Sequence, residues 1–352
     1  MRAKIFFLLL IVVCAGTGVA QTTSGSISGT VFDLQQAAVA NATVTATEKS
    51  KGFILTATTD QEGRFVFPQV APGTYSIRIE AAAFKKLELT GIVLISNDKL
   101  NLGNLALEVG IVGETVTITG EATLIQAESG ERSFAVQGEV IRNTGIKSRS
   151  FINLATLAPG VVATTSDGTS NSVTDLSING VRRNSNNVQI DGITSLDVGN
   201  NGSNSRVPLD SIGEFKLLTS TYQPEYGRSS GAQIIAVTRS GSQQFHGSAY
   251  YYRRHTGLNA NTFDNNRNNR SRPISDQTDK GYTIGGPIYI PGIFNTEKKK
   301  LFFFWNQEWT PRTSPNTVRN VRVPTVLERK GDFWQFRNNA GASFPYMKDW
   351  PL

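Results

Sequence analysis

The sequence feature that most constrains the fold is a change of strand type between Ser211 and Arg254. The segment Gln233 to Thr238 (QIIAVT) is a short apolar run bounded by glycine and serine, which is typical of a buried strand between turns. From Gln244 to Arg253, small, aromatic and polar residues alternate on two faces without an apolar core. Such a two-faced strand is typical of a membrane β-barrel. The stretch therefore predicts that a water-soluble domain ends here and a barrel wall begins, with Ser240-Gly241-Ser242 as the hinge.

The same stretch resembles the plug-to-barrel junction of Oar-like TonB-dependent outer-membrane receptors. The resemblance is carried by E-F-K-x-L-T-x-x-Y-x-x-E-Y-G-R-S-x-G, beginning at Glu214, and by V-T-x-S-G-x-x-x-F-H-G-S, beginning at Val237. It implies a receptor of the outer membrane that meets membrane lipid, an imported ligand and a TonB-type energy-coupling protein in the periplasm. It also implies that no catalysis takes place.

The N-terminus has the pattern of a secretion signal. Arg2 and Lys4 precede the apolar run Ile5 to Ala15, and Gly18-Val19-Ala20 offers small residues where a signal peptidase reads the chain. We therefore predict a signal peptide over residues 1–20, cleaved between Ala20 and Gln21. The one cysteine, Cys14, lies inside it, so disulfides and cysteine metal sites are excluded from the remainder.

Charge is distributed unevenly along the chain. Residues 1–242 hold 19 Lys and Arg against 20 Asp and Glu, whereas residues 243–352 hold 16 against 8. A basic surplus at one end indicates an anionic partner. We expect lipid head groups rather than nucleic acid, because the signal sequence exports the chain.

Residues 24–109 read as a small all-β sandwich, because short alternating strands are separated by turn residues at regular intervals. The residues expected on its buried side are Phe65, Phe67, Tyr75, Ile77, Ile79 and Phe84. The order G-x-V-x-D, A-x-V-x-A, D-x-x-G-x-F-x-F and A-P-G-x-Y-x-I resembles the carboxypeptidase-regulatory-like (transthyretin-like) domain. The resemblance implies no catalysis, since the histidine and glutamate ligands of a zinc carboxypeptidase are missing.

Residues 110–242 are predicted to form an α+β plug domain. The compact strand Glu114-Thr115-Val116-Thr117-Ile118-Thr119 has two interpretations: a TonB box, handed to the energy-coupling protein by strand addition, or the ordinary first strand of the plug. We expect one helix between Val140 and Ala158, since apolar residues recur there at helical intervals and Pro159 follows.

Polar loops of the plug supply the candidate ligand contacts. Two short strands, Leu176–Ile178 and Val188–Ile190, end in Asn-Gly and Asp-Gly, which are strong turn signals. In the family that the chain resembles, the loops around them lie at the top of the plug and contact a ligand. The candidate residues, all expected on the surface, are Arg182, Arg183, Asn184, Asn186, Asn187 and Asp191.

Residues 243–352 are predicted to begin an outer-membrane β-barrel. The second and third strands are expected at Lys280–Ile290 and Lys300–Thr310, and a polar loop at 259–272. The last strand places Trp305 and Trp309 on one face, as a lipid-facing wall with an aromatic girdle requires. Residues 243–352 supply only a handful of strands, whereas a plugged transporter has about 22. We therefore expect an N-terminal part of a longer barrel protein.

Taken together, the sequence predicts a mainly β protein with a signal peptide, a sandwich, an α+β plug and the first strands of a barrel. No catalytic residue, metal site or cofactor is expected, because nucleophile, P-loop and metal-ligand spacings are missing. The alternative is a secreted or surface-attached β-sandwich protein that binds carbohydrate or protein.

Overall fold

In the computed structural model, the described residues are 23–110, 115–119, 130–146, 148–164, 172–197, 199, 201–227, 229–313 and 324–331. The predicted signal peptide with its cleavage site at Ala20 and Gln21 lies outside them. The chain divides into two compact units, residues 1–251 with 279–309 and residues 252–278 with 310–352. None of the described helices is long and apolar enough to cross a membrane.

The first part of the larger unit is a two-sheet sandwich, as predicted. Its strands are β1 (Gly25–Asp33), β2 (Thr43–Glu48), β3 (Ile54–Thr58), β4 (Arg64–Val70), β5 (Gly73–Glu80), β6 (Lys86–Leu94), β7 (Lys99–Leu107) and β8 (Thr115–Thr119). One sheet has the order β4-β1-β7 and the other β3-β2-β5-β6-β8. Pairing is antiparallel except for β1 with β7 and β6 with β8.

The sandwich core follows from the period-two pattern of its strands. Every second residue of β5 is buried, so that Tyr75, Ile77 and Ile79 are at most 4% exposed. Phe65 and Phe67 are buried on the opposing sheet, with ring centroids 6.0 Å apart, and Phe84 packs against the same core while partly exposed. The predicted buried face is therefore confirmed.

The next part is a mixed α+β domain. Its strands are β9 (Arg132–Gln137), β10 (Val161–Ala163), β11 (Leu176–Ile178), β12 (Asn187–Ile190), β13 (Ile193–Thr194), β14 (Ile212–Ser220) and β15 (Gln233–Thr238). It also contains helix α1 (Gly138–Asn143) and 3₁₀ helices at Phe151–Leu157, Val173–Asp175, Arg183–Ser185 and Leu209–Ser211. Five strands form one sheet, β13-β12-β15-β14-β9, and β10 pairs with β11. The core lies between this sheet and the 3₁₀ helix Phe151–Leu157, whose first five residues are buried.

The predicted single helix between Val140 and Ala158 is wrong. The described residues instead form α1 and the 3₁₀ helix that begins at Phe151. The helix stops at Thr144, where the backbone turns extended, and Arg149 adopts a left-handed φ of 51°. Gly145 also favours the break, since glycine is a poor helix former. The two buried faces, with Ile141 and Leu154, sustain the helical spacing across an interruption.

The last part is a sheet with the order β16-β17-β18, in which the short β19 also pairs with β17. Its strands are β16 (His246–Arg254), β17 (Asp276–Pro287), β18 (Phe302–Trp309) and β19 (Arg312–Thr313). The predicted strand at Lys280–Ile290 thus begins four residues earlier and ends sooner, at a turn that follows Pro287.

The smaller unit consists of strand ends and short helices. It contains a 3₁₀ helix at Thr256–Leu258, α2 (Phe263–Arg267) and α3 (Val326–Arg329). The start of β17 pairs with β19 through Asp276 and Thr313. His255 lies 3.6 Å from the Asp276 carboxylate, and Arg272 donates to the Asn259 carbonyl oxygen at 2.6 Å.

Candidate functional site

The sheet β16-β17-β18 has its apolar face outside and its polar face inside. Trp305 and Ile284, cross-strand partners on β18 and β17, are 54% and 44% exposed. Thr283, next to Ile284 and pointing the opposite way, is 3% exposed. A water-soluble sheet normally shows the reverse polarity, whereas a lipid-facing barrel wall requires this one. The aromatic face predicted for the last strand is thus directed outward.

The polar inner face of these strands carries a buried charged cluster. The Arg149 side chain, 10% exposed, forms an ion pair with Asp210, and its Nη2 lies 3.7 Å from the Glu308 carboxylate of β18. Tyr250 of β16 donates to Glu308 at 2.9 Å, and the Arg149 guanidinium carbon lies 4.5 Å from the centre of its ring. One arginine thereby connects the α+β domain to two strands of the wall.

The link between the α+β domain and the wall is tightly packed. A Cβ added at Gly241 would lie 2.3 Å from the Phe303 carbonyl oxygen and 2.7 Å from that of Gly286. Such contacts do not occur, so only glycine fits here. The predicted hinge therefore holds a buried residue pressed against the backbones of β17 and β18.

An open pocket of about 920 Å³ lies beside the polar loops of the α+β domain. Of the predicted ligand residues, Arg182, Arg183 and Asn184 line it, and all three are exposed. The remaining lining residues are hydroxyl, carboxyl or small: Thr164, Ser172, Thr174, Asp175, Ser177, Gly180, Val181, Asp197, Gly202 and Ser203. This lining offers many hydrogen-bond donors and acceptors and little apolar surface, so it suits a hydrophilic ligand.

The turn chemistry that places this pocket is the one expected from the sequence. Asn179 and Gly180, after β11, both have positive φ, as do Asp191 and Gly192 between β12 and β13. Two positive-φ residues are what a type I′ hairpin turn requires. Arg183 is held at the pocket edge by a 3.1 Å hydrogen bond from its Nη1 to the Thr164 hydroxyl.

Two of the predicted surface residues are buried, which corrects the expectation for them. Asn186 and Asn187 are each 2% exposed. The Asn186 amide donates to the Leu176 carbonyl oxygen at 2.9 Å and accepts from the Ala232 backbone N–H at 3.1 Å. It therefore ties three chain segments together, and its hydrogen-bonding groups are occupied within the fold.

Asp191 is exposed but lies away from the pocket, among the described residues. Its carboxylate accepts hydrogen bonds from the Thr238 backbone N–H and hydroxyl, both at 2.8 Å. It thereby holds the β12–β13 turn against the end of β15. This role explains the Asp-Gly turn without a ligand.

A second buried cluster, which the sequence reasoning missed, joins the sandwich to the α+β domain. Lys216 of β14 is fully buried and donates to the Asp98 carboxylate at 2.8 Å and to the Ser96 carbonyl oxygen at 3.2 Å. Glu214 accepts from the Ser96 backbone N–H at 2.7 Å. Burial raises the pKa of Glu214, against the opposing effects of Ser96 and Lys216. A lysine inside the apolar strand FKLL was the available signal.

A tyrosine completes this contact. The Tyr226 hydroxyl accepts from the Asn97 amide at 2.8 Å. Burial raises the pKa of Tyr226 to about 12, so the phenol stays neutral under physiological conditions.

The predicted TonB-box segment forms an edge strand of the sandwich. Glu114 lies outside the described residues, and Thr115 to Thr119 form β8, paired in parallel with β6 from Lys86 to Thr90. The alternative interpretation, a first strand of the plug, is wrong, because β8 joins the sandwich sheet. Val116 packs against the sandwich core. Whether this segment is a TonB box stays a prediction.

Within the described part of the chain, no group of three or more His, Cys, Asp or Glu side chains is arranged to hold a metal ion. The clusters around Arg149 and Lys216 are ion pairs between domains. Neither includes a histidine or cysteine.

Three family models match the chain. The carboxypeptidase regulatory-like domain covers residues 26–108, the TonB-dependent receptor plug domain 126–232 and the outer membrane beta barrel domain 237–348. Among solved structures, the siderophore receptor PirA from Acinetobacter baumannii is 17% identical, with 44% of this chain and 22% of that chain covered at a TM-score of 0.32. The ferric citrate transporter FecA is 17% identical, with 45% and 23% covered at a TM-score of 0.33.

A curated relative matches along almost the whole sequence. The TonB-dependent transporter Oar of Myxococcus xanthus is 31% identical over 365 aligned residues, which cover 96% of this chain. The chain spans about a third of that relative's length, 32%. The sandwich, the plug and the inverted polarity of β16 to β18 agree with the order of the three family models. The chain therefore belongs to the Oar-like TonB-dependent receptors of the outer membrane.

Proposed function

We propose that the protein containing this chain is an energy-coupled importer that binds a hydrophilic ligand at the plug and passes it into the periplasm. The ligand would bind at the pocket edged by Arg182, Arg183 and Asn184. A TonB-type protein would supply the energy that shifts the plug. No bond is broken in this scheme, and no residue acts as a catalyst.

The observation that carries the proposal is the attachment of a plug to a wall of inverted polarity. The plug strand β15 leads through the tightly packed Gly241 into β16, and Arg149 connects the plug to Glu308 on the inner face of that wall. A buried ion pair contributes little net stability but breaks at a definite cost. It therefore suits a contact that holds a plug until energy is supplied.

The partner would be recognised by strand addition at the segment Glu114 to Thr119. β8 is short, lies at the edge of its sheet and contains neither lysine nor proline, which commonly protect edge strands from pairing. An extended segment of the partner can therefore add to it through backbone hydrogen bonds.

The proposal is tested by uptake into cells that make the full-length protein. Three hydrophilic probes are offered, namely maltoheptaose, a ferric hydroxamate siderophore and a labelled oligopeptide mixture. We expect one of them to accumulate and accumulation to stop when a protonophore removes the energy source. Thr117→Pro, which removes a backbone donor from β8, should reduce uptake to the protonophore level, with Thr117→Ser as the matched control.

Recovery of the protein in the soluble periplasmic fraction would contradict the proposal. So would uptake that persists in the presence of the protonophore. Alanine at Arg182 and Arg183 should raise the half-saturating probe concentration without changing the amount of protein in the outer membrane.

A further inference from the structure

The sandwich contacts the rest of the larger compact unit in two places. The first is the turn between β6 and β7, residues 95–98, which lies against β14 of the plug. The second is the turn after β2, at Ser50 and Lys51, which lies against Gln243 in the link between plug and wall. Any shift of the plug relative to the wall must break at least one of these two contacts.

The contact with the plug is buried and charged. Lys216 and Ser96 are fully buried, and the Asp98 side chain is 9% exposed. Lys216 has two acceptors on the sandwich, and Glu214 accepts from the Ser96 backbone N–H. Separating the domains here would leave a lysine and two carboxylates without their partners, which is expensive unless water replaces them completely.

The contact with the link is neutral and half-exposed. The Gln243 backbone N–H donates to the Ser50 carbonyl oxygen at 3.0 Å, and its side-chain amide donates to the Lys51 carbonyl oxygen at 3.1 Å. Next to it, the rings of Phe53 and Phe302 meet edge to face at 6.1 Å. Ser50 and Phe53 are exposed, so water can take over these hydrogen bonds at small net cost.

We propose that the sandwich is a rigid part of the plug, held by Lys216, and that the contact of Gln243 with Ser50 and Lys51 is the one that opens when the plug shifts. The sandwich then travels with the plug and moves away from the start of the wall. Lys216 is a positioning residue in this arrangement. The inference deepens the proposed function, on which it rests for the shift itself.

The order of strength of the two contacts can be measured without any ligand. Hydrogen exchange, resolved to single amides by mass spectrometry, is recorded for the full chain in detergent micelles. The Ser96 amide reports the contact with the plug and the Gln243 amide the contact with the link. We expect the protection factor of Ser96 to exceed that of Gln243 by at least about tenfold, because exchange follows the free energy of local opening. Equal protection, or greater protection at Gln243, would overturn the inference.

A pair of lysine variants separates the role of the charge from general effects. Lys216→Met should lower the Ser96 protection factor at least about tenfold and change that of Gln243 less than about twofold. Lys99→Met is the matched control, since Lys99 is exposed and only 3.5 Å from its one printed acceptor on Gln223, and it should change neither. A parallel fall at both amides would refute separate contacts.

If Lys216→Met does not accumulate, Asn97→Ala replaces it, because it deletes one hydrogen bond from the same contact. The Ser96 protection factor should then fall about threefold with no change at Gln243, and an unchanged value counts against the inference. A protein that imports none of the three probes but shows these protection factors contradicts the proposed function and leaves the rigid sandwich and plug in place. Uptake with the reversed order of protection does the opposite.

Discussion

Replacing Arg149 by methionine is the sharpest test of how the plug is attached to the wall. Methionine keeps much of the side-chain length and removes the charge. Asp210 and Glu308, whose side chains are 12% and 8% exposed, then remain buried without the guanidinium between them. Breaking a buried ion pair from one side costs about 3–5 kcal/mol. The stacking of Arg149 on the Tyr250 ring at 4.5 Å is lost as well.

For a chain of this size, 1 kcal/mol corresponds to roughly 2 °C in the unfolding midpoint, so we expect Arg149→Met to lower it by about 6–10 °C. The midpoint is measured by scanning calorimetry on the full chain in detergent. Arg182→Met, which changes an exposed arginine of the same domain, should shift it by less than about 1 °C.

The double variant Arg149→Met/Asp210→Asn should recover at least part of the loss, because one uncompensated carboxylate is removed. A shift no larger than that of Arg182→Met would refute the reasoning. It would mean that water reaches the cluster and that the plug is held to the wall by other contacts.

Three further predictions follow from the same geometry. Glu214→Gln should become more stable relative to the wild type as the pH rises from 4.5 to 7.5: burial raises the Glu214 pKa above 4.5, so the stability from its protonated form is lost as the pH passes that raised value, whereas glutamine does not titrate; unfolding midpoints across this range that stay parallel would contradict it. Asn186→Ala should lower the free energy of unfolding by about 1–3 kcal/mol and the exposed Asn184→Ala by less than about 0.5 kcal/mol, measured in urea. Gly241→Ala should reduce the fraction of chain that resists protease after insertion into the membrane, while Gly227→Ala, where an added Cβ meets no atom within 4 Å, should not.

Local patterns in the sequence predicted most of the strands. The alternation in β5 and the positive-φ residues at Asn179-Gly180 and Asp191-Gly192 depend on neighbours only a few residues away, so they can be read without the fold. The plug helix was misjudged because apolar spacing reports which residues face the core, and a short break that keeps them on the same side leaves the spacing intact.

Contacts between distant segments could not be predicted in this way. Lys216 and Asp98 are 118 residues apart in sequence, and nothing near either residue indicates the other. A single lysine in an apolar strand signals that a counter-charge must exist but not where it lies. For the same reason Asn186 and Asn187 were expected on the surface: a polar composition describes the loop, whereas burial depends on what packs over it.

The pairing of β8 with β6 has a consequence for any protein that recognises this segment. The strand already occupies one set of its backbone groups, over five residue pairs from Lys86 and Thr115 to Thr90 and Thr119. A partner that lengthens the sheet at the free edge of β8 leaves these hydrogen bonds intact and binds the sandwich as well. A partner that takes β8 away must first unzip it, so its apparent affinity falls by the fraction of time the strand is detached.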